Sequence, residues 1–198
     1  SIEVSPQLLE LVKNEQRFTK HLHLPLQAGS DEILKAMNRH YTTAEFARLI
    51  ANIRREVPDI AISTDIIVGF PGETDELFQK SLEFAKSMNF AKIHVFPYSK
   101  RTGTPAAVML NQVDENVKKQ RVHLMQQMEQ QSALDFHTQF LGKNMEVLFE
   151  QTHDGYTEGL TSNYIKVYVP GEIPSGEITG VTLKEIFRDG ILGEIIVK

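Results

Sequence analysis

The 198-residue chain contains no cysteine and no tryptophan. Without a thiol there is no disulfide, no thiolate-bound metal or iron–sulfur cluster, and no cysteine nucleophile. No apolar run approaches the roughly 18 residues that a membrane span requires, so no membrane partner is expected. No basic-then-apolar leader opens these residues, and Ser1 stands where an initiator Met would, as expected of a piece of something longer. An excess of positive charge is missing too. Twenty-one Lys and Arg face 26 Asp and Glu, a formal net charge of -5, so the molecule as a whole does not attract nucleic acid by its mean field. Repeats and low-complexity tracts are absent. What is present is an ordinary globular balance, 41% hydrophobic and 24% charged, which excludes disorder and collagen-like structure. A cytoplasmic protein is expected, with one large domain or one medium and one small.

The apolar spacing alternates between helical and extended periods. Residues 6–14 repeat at helix spacing, and 21–27 alternate strictly, as a strand does. Ser30 is placed to cap a short helix, and Thr42 with Glu45 forms a capping box for the next. That second helix carries Phe46, Leu49, Ile50, Ile53 and Val57 as one buried stripe, ended by Pro58. Residues 60–69 form a β-branched run suited to a strand buried on both faces. A turn at Phe70–Glu73, a helix capped by Thr74 and a strand at 91–99 follow. Strands alternating with crossover helices demand a parallel sheet, and three strands are too few to close a (βα) barrel. The expected class is therefore α/β with a partial (βα) barrel. Asp114 opens a long helix to about Phe140, stopped by Gly142. Beyond it, short strands with turn residues every eight to twelve positions predict a small antiparallel β-barrel. The expected domains are residues 1–141 and 142–198.

Side-chain parity sorts the strand residues. His21, His23, Pro25 and Gln27 share one parity, as do Ser63 and Asp65, and as do His94, Phe96 and Tyr98. The other parity is apolar and suits covering helices. Buried polar groups without partners cost about 1–3 kcal/mol each, so this stripe must be self-paired, wet, or aimed at a ligand. Gln27, Asp65 and Tyr98 lie near the C-terminal strand ends, where barrel sites sit. The turns at Gln27–Ser30 and Gly69–Glu73 offer helix-start N–H groups to an anion. Lys100–Thr104 reads equally as a phosphate loop or a solvated one.

Three stretches, HLHLPLQAGSDEILKAMNRHYT, STDIIVGFPGETDE and HVFPYSKRTGTPAA, occur in this order and closely resemble the second half of the radical S-adenosylmethionine methylthiotransferases. Residues from about 143 onward resemble the TRAM domain that ends those proteins. HVFPYSKRTGTPA, QVDENVKKQRVH and GYTEGLTSNYIKV are most similar to the branch that methylthiolates N6-threonylcarbamoyladenosine beside the tRNA anticodon. Sister branches act on isopentenyladenosine in tRNA or on a ribosomal-protein aspartate. The resemblance implies S-adenosylmethionine and tRNA as partners. It also implies two [4Fe-4S] clusters in a full-length parent, none ligated here, and hence an inactive fragment. Carried over by position, Gln27, Arg39 and Asp65 address the ribose and methionine of the cofactor. Ser30 helps anchor it, and Phe96 and Tyr98 flank adenine. Ala28 stands where the family often has Ser.

Residues 143–198 hold five Lys and Arg against nine Asp and Glu, so any phosphate contact there must be a local patch. Tyr156, Tyr164, Lys166 and Arg188 are the candidates, since aromatics stack on bases and basic groups hold phosphates; each tyrosine reads equally as strand packing. Two other readings stay open at this level: an RNA-binding module without catalysis, and an unrelated barrel enzyme using Asp65 and His94 as acid and base. A partial barrel exposes unpaired strand edges, so dimerisation through the first strand near 21–27 is expected.

Overall fold

The computed structural model describes residues 3–15 and 17–196. Helix α1 (Pro6–Asn14) begins with Pro6 behind the capping hydroxyl of Ser5. Three strands, β1 (His21–His23), β2 (Ala61–Val68) and β3 (Lys92–Pro97), form a parallel sheet in the order β1-β2-β3. Helices α2 (Asp31–Ala36), α3 (Thr43–Glu56) and α4 (Asp75–Ser87) connect them. The capping box at Thr42 and Glu45 is present, and Thr74 accepts from the Leu77 N–H.

One face of the sheet is closed. Ile62, Ile66 and Val68 meet Phe46, Ile50 and Ile53 of α3, Phe78 of α4 and Met125 of the long helix α5 (Glu115–Thr138) in one apolar cluster. The other face carries the polar parity and is left open. Among the described residues, no helix is long and apolar enough to cross a membrane.

The first strand is shorter than its alternation predicts. It stops at His23: the Leu24 N–H still donates to the Ser63 carbonyl at 2.8 Å, but the Leu26 N–H goes to a side chain instead of the next ladder carbonyl. The Thr64 hydroxyl spans the gap, donating to the Leu24 carbonyl at 2.7 Å and accepting from the Leu26 N–H at 2.9 Å. The chain rejoins the sheet at Gln27, which bridges Ile66 with a φ of 71°. The detour inserts one residue. His23 pairs with Ser63 but Gln27 pairs with Ile66, so Gln27 does not continue the His21–His23 face.

Strands β4 (Asn144–His153), β5 (Tyr156–Thr161), β6 (Lys166–Pro170), β7 (Ile178–Phe187) and β8 (Gly190–Ile195) close a barrel in the order β4-β5-β6-β8-β7. The expected antiparallel pattern holds except where β6 runs parallel to β8. Val147, Phe149, Val167, Val181, Leu183 and Ile191 fill it, all fully buried. The barrel sits on the N-terminal edge of the sheet. Phe136 and Phe140 join Ala61 of β2 to the barrel core. The Lys20 N–H donates to the Ser162 carbonyl at 2.7 Å, and the buried Asn163 amide donates to the Asp59 carbonyl at 3.0 Å.

Candidate ligand and RNA cleft

Where the open face of the sheet meets the barrel lies a cleft of about 1230 Å3. Its sheet wall carries His21, His23, Ser63, Asp65, His94 and Phe96; its barrel wall carries Tyr164, Lys166, Arg188 and Asp189; the end of α5 supplies Glu129 and His137. Parity explains the sheet wall. His23 lies opposite Ser63, and Asp65 opposite His94, so the register stacks them side by side on one face.

The polar groups of that wall are linked. His21 Nε2 lies 2.9 Å and His23 Nδ1 3.0 Å from the same Ser63 hydroxyl, and His23 Nε2 is 3.2 Å from Asp65 Oδ2. Burial, and then the neighbouring imidazoles of His23 and His94, push His21 below the ordinary histidine range. The Tyr164 ring rests on His21 with centroids 4.7 Å apart, yet is 52% exposed toward the cleft. Across from it, Lys166 donates to Asp189 at 2.9 Å, and the Tyr168 hydroxyl donates to the same carboxylate. Burial pushes Asp189 up, but these two donors outweigh it and hold the carboxyl below its usual range. The Arg188 guanidinium lies over Tyr156, Tyr168 and Phe187 at 5.1–5.6 Å.

The structure brings seven of the ten sequence candidates together in two groups. Asp65, Phe96, Tyr164, Lys166 and Arg188 line the cleft. Gln27 and Arg39 form a separate pair, with Arg39 donating to the Gln27 amide oxygen at 3.3 Å; the Gln27 N–H reaches the Asp65 carbonyl at 2.8 Å. Tyr98 departs from the pattern. Strand β3 ends at Pro97, and the Tyr98 ring turns onto Phe70 in a small apolar cluster, so it does not face Phe96 across a common slot. Tyr156 packs on Phe187, outside the cleft lining. Ser30 occupies the cap position of α2 but makes no capping hydrogen bond.

The glycine-rich turns serve packing. A Cβ on Gly29 would lie 2.7 Å from the Ser81 backbone of α4, so this glycine lets the two helices touch. In the Gly69–Glu73 turn the Gly69 N–H donates to the turn's own Glu73 carboxylate at 2.6 Å, which leaves no vacancy there for an external anion. Glu73 in turn accepts from Arg121 of α5 at 2.8 Å. Burial pushes this carboxyl above its usual range, although the Gly69 N–H and the Arg121 guanidinium pull the other way.

Comparison with known proteins bears on this arrangement. The radical SAM superfamily profile matches residues 1–85. Threonylcarbamoyladenosine tRNA methylthiotransferase MtaB of Bacillus subtilis is 40% identical over 174 residues, covering 85% of this chain and 39% of that protein. A tRNA-2-methylthio-N(6)-dimethylallyladenosine synthase of Acetivibrio thermocellus is 39% identical over 198 residues, covering 98% of this chain and 41% of that protein. The chain belongs to the radical SAM methylthiotransferase family. It spans about two-fifths of the length of these curated relatives. Coproporphyrinogen III oxidase (HemN) of Escherichia coli, a radical SAM enzyme, is a looser likeness: TM-score 0.49, 22% identity, 70% of this chain and 30% of that one.

A radical SAM methylthiotransferase uses S-adenosylmethionine and iron–sulfur clusters, and the two fit these residues differently. The cluster does not fit: its iron is held by thiolates, and the chain has no cysteine. The adenosyl ligand does fit. Ser30 Oγ and Tyr98 Oη are buried side-chain oxygens with no hydrogen-bond partner, and buried polar groups of this kind call for one. Only Ser30 is available to such a ligand, since the Tyr98 ring is turned onto Phe70.

The histidines are what the sequence reading undervalued. His21, His23 and His94 were visible as a shared parity, but only their register on adjacent strands makes them a cluster. Asp189 and Tyr168 carry no sequence signal, since their pairing spans the β6–β7–β8 fold.

Proposed function

We propose that this chain is the substrate-facing portion of a tRNA methylthiotransferase that adds a 2-methylthio group to N6-threonylcarbamoyladenosine next to the anticodon. Residues 1–141 are the second half of the radical SAM barrel, and 142–198 act as a TRAM-like RNA-binding domain. The cleft carries this reading, because it sets an ionisable sheet face against stacking and basic side chains of the barrel. A nucleotide entering along Tyr164, Lys166 and Arg188 arrives beside Asp65 and Phe96.

Bound S-adenosylmethionine supplies the methyl group and a hydrogen-abstracting adenosyl moiety. The chain's own residues bind and orient it. Arg39 grips the amino-acid carboxylate, since its present bond to Gln27 is long and easily exchanged for a charge-assisted pair. Gln27 and Asp65 accept the ribose hydroxyls, Ser30 gains the partner it lacks, and the exposed Phe96 ring offers a face to adenine. Tyr98 supports the turn from behind. The thiolates for the cluster come from outside these 198 residues, so the chain alone is expected to be inactive. A tRNA substrate places the work in the cytoplasm.

Overall identity does not separate the two tRNA branches, at 40% and 39%; the resemblance of HVFPYSKRTGTPA, QVDENVKKQRVH and GYTEGLTSNYIKV to the threonylcarbamoyl branch favours that substrate. Deleting the gene that encodes this chain and measuring tRNA nucleosides by mass spectrometry decides it. Loss of 2-methylthio-N6-threonylcarbamoyladenosine with accumulation of its precursor is expected. Loss of the isopentenyl counterpart instead would overturn the substrate. No loss of either would leave an RNA-binding module without catalysis.

A further inference from the structure

His23, Asp65 and His94 project from three adjacent strands onto the open face, and one ligand atom from each lies within 4.8 Å of the other two. The His23 and His94 rings are 5.8 Å apart, and His23 Nε2 approaches Asp65 Oδ2 to 3.2 Å. Metal bonds of about 2.0–2.2 Å to imidazole and carboxylate set ligand atoms roughly 3–3.5 Å from each other. Rotation of the exposed His94 side chain supplies the remaining closure.

The hydrogen bonds behind the cluster leave room for a cation in front of it. Ser63 Oγ touches both His21 Nε2 and His23 Nδ1. If His23 donates from Nδ1 and the hydroxyl passes its own hydrogen to His21, the lone pair of His23 Nε2 faces the Asp65 carboxylate. In that tautomer the two acceptors share a cation; in the other, the His23 Nε2–H donates to Asp65 directly at the same 3.2 Å. An imidazole whose far N–H is held by an acceptor is the usual arrangement of a metal ligand. Here Ser63 provides that hold, and it is buried.

We propose that His23, Asp65 and His94 bind one divalent first-row metal ion of the zinc class, with its remaining coordination positions open to the cleft. Two imidazoles and a carboxylate suit such an ion better than magnesium or calcium, which prefer all-oxygen sites. The metal takes Asp65 Oδ2 and leaves Oδ1 for a ligand hydroxyl, so the site stands independently of the adenosyl assignment. Its place in the cleft suits it to hold a chelating oxygen or sulfur group presented by a bound ligand.

Cobalt(II) titrated into the tag-free 198-residue protein, without S-adenosylmethionine or RNA, tests this. One cobalt per chain with visible d–d bands, bleached by added zinc, is expected. His94→Ala and His23→Ala are expected to abolish the bands, and Ser63→Ala to keep them while lowering affinity about 10- to 100-fold. Circular dichroism checks that each variant is folded. If His23→Ala fails to fold, His94→Ala decides, because its side chain is exposed. Absence of d–d bands in the wild-type protein, or unchanged affinity in His94→Ala, overturns the site. Neither result touches cofactor or tRNA binding, which the titration does not contain.

Discussion

Arg121 holds more of the fold than its sequence context announces. Its guanidinium donates to the Glu73 carbonyl and carboxylate and to Asp75 at 2.7–2.9 Å, with the Arg121 and Glu73 side chains only 6% and 1% exposed. Removing one partner of a buried pair strands the other charge, at a cost of about 3–5 kcal/mol. Arg121→Met is expected to lower unfolding stability by about that much in a denaturant titration, and Arg121→Met/Glu73→Gln to recover part of it. A loss under about 1 kcal/mol for the single variant would contradict the latch. His137 contributes a pH dependence. Burial pushes it below the ordinary range, more than Asp189 and Glu129 pull it up. The unfolded chain therefore takes up the proton first, and stability falls as pH drops below the ordinary histidine pKa of about 6.5. Thermal melting against pH should show this slope, and His137→Gln should reduce it, leaving the share of His21. An unchanged slope in the variant would assign the effect elsewhere. Single residues were unevenly legible. Asp65 and Lys166 stood out by chemistry and position, whereas Glu73 and Arg121 are 48 positions apart and meet only because α5 crosses the turn.

At the scale of elements, caps and periods were the readable part. Thr42, Thr74 and Asp114 each open a helix as their side chains predict, whereas Ser30 holds its cap position without the bond. The buried face of α5 is only partly apolar. Arg121, Met125, Ser132 and Phe136 are buried on it, but so are the charged Lys118 and Glu129, while Leu124 is 46% exposed. Tertiary ion pairs override the apolar pattern there: Glu129 meets Lys92 at 3.0 Å. The strand at 21–27 was misread for a different reason. Alternation continues through Leu26, but the Thr64 hydroxyl takes the Leu26 N–H in place of a ladder carbonyl, and the parity of Gln27 slips by one. The same shortening bears on association. Strand β1 pairs only with β2 among the described residues, so its outer edge can accept a strand from a second copy. Concentration-dependent dimerisation in analytical ultracentrifugation is expected. A monomer at every concentration would show that three residues beside a proline are too short to recruit a partner.

For the whole molecule, the order of the segments was legible and their docking was not. The α/β portion and the later β-rich portion announce themselves by a change of period near Gly142. That the barrel sits on the N-terminal edge of the sheet depends on Asn163 reaching Asp59 and on Phe136 and Phe140 bridging the two cores. These contacts create the cleft at the junction of sheet and barrel, away from the C-terminal strand ends where a site was expected. A net charge of -5 means that RNA affinity there must come from a few local groups. Binding of an anticodon stem-loop by fluorescence anisotropy, across a salt series, tests the cleft most directly. Tyr164→Ala is expected to weaken binding by about 1–3 kcal/mol through lost stacking. Lys166→Gln should lower the salt slope by about 0.7 for one lost single-strand phosphate contact. Lys184→Gln, outside the cleft lining, should change neither. Equal affinity for all four proteins, or an equal loss in Lys184→Gln, would contradict the cleft as the place where tRNA meets this chain.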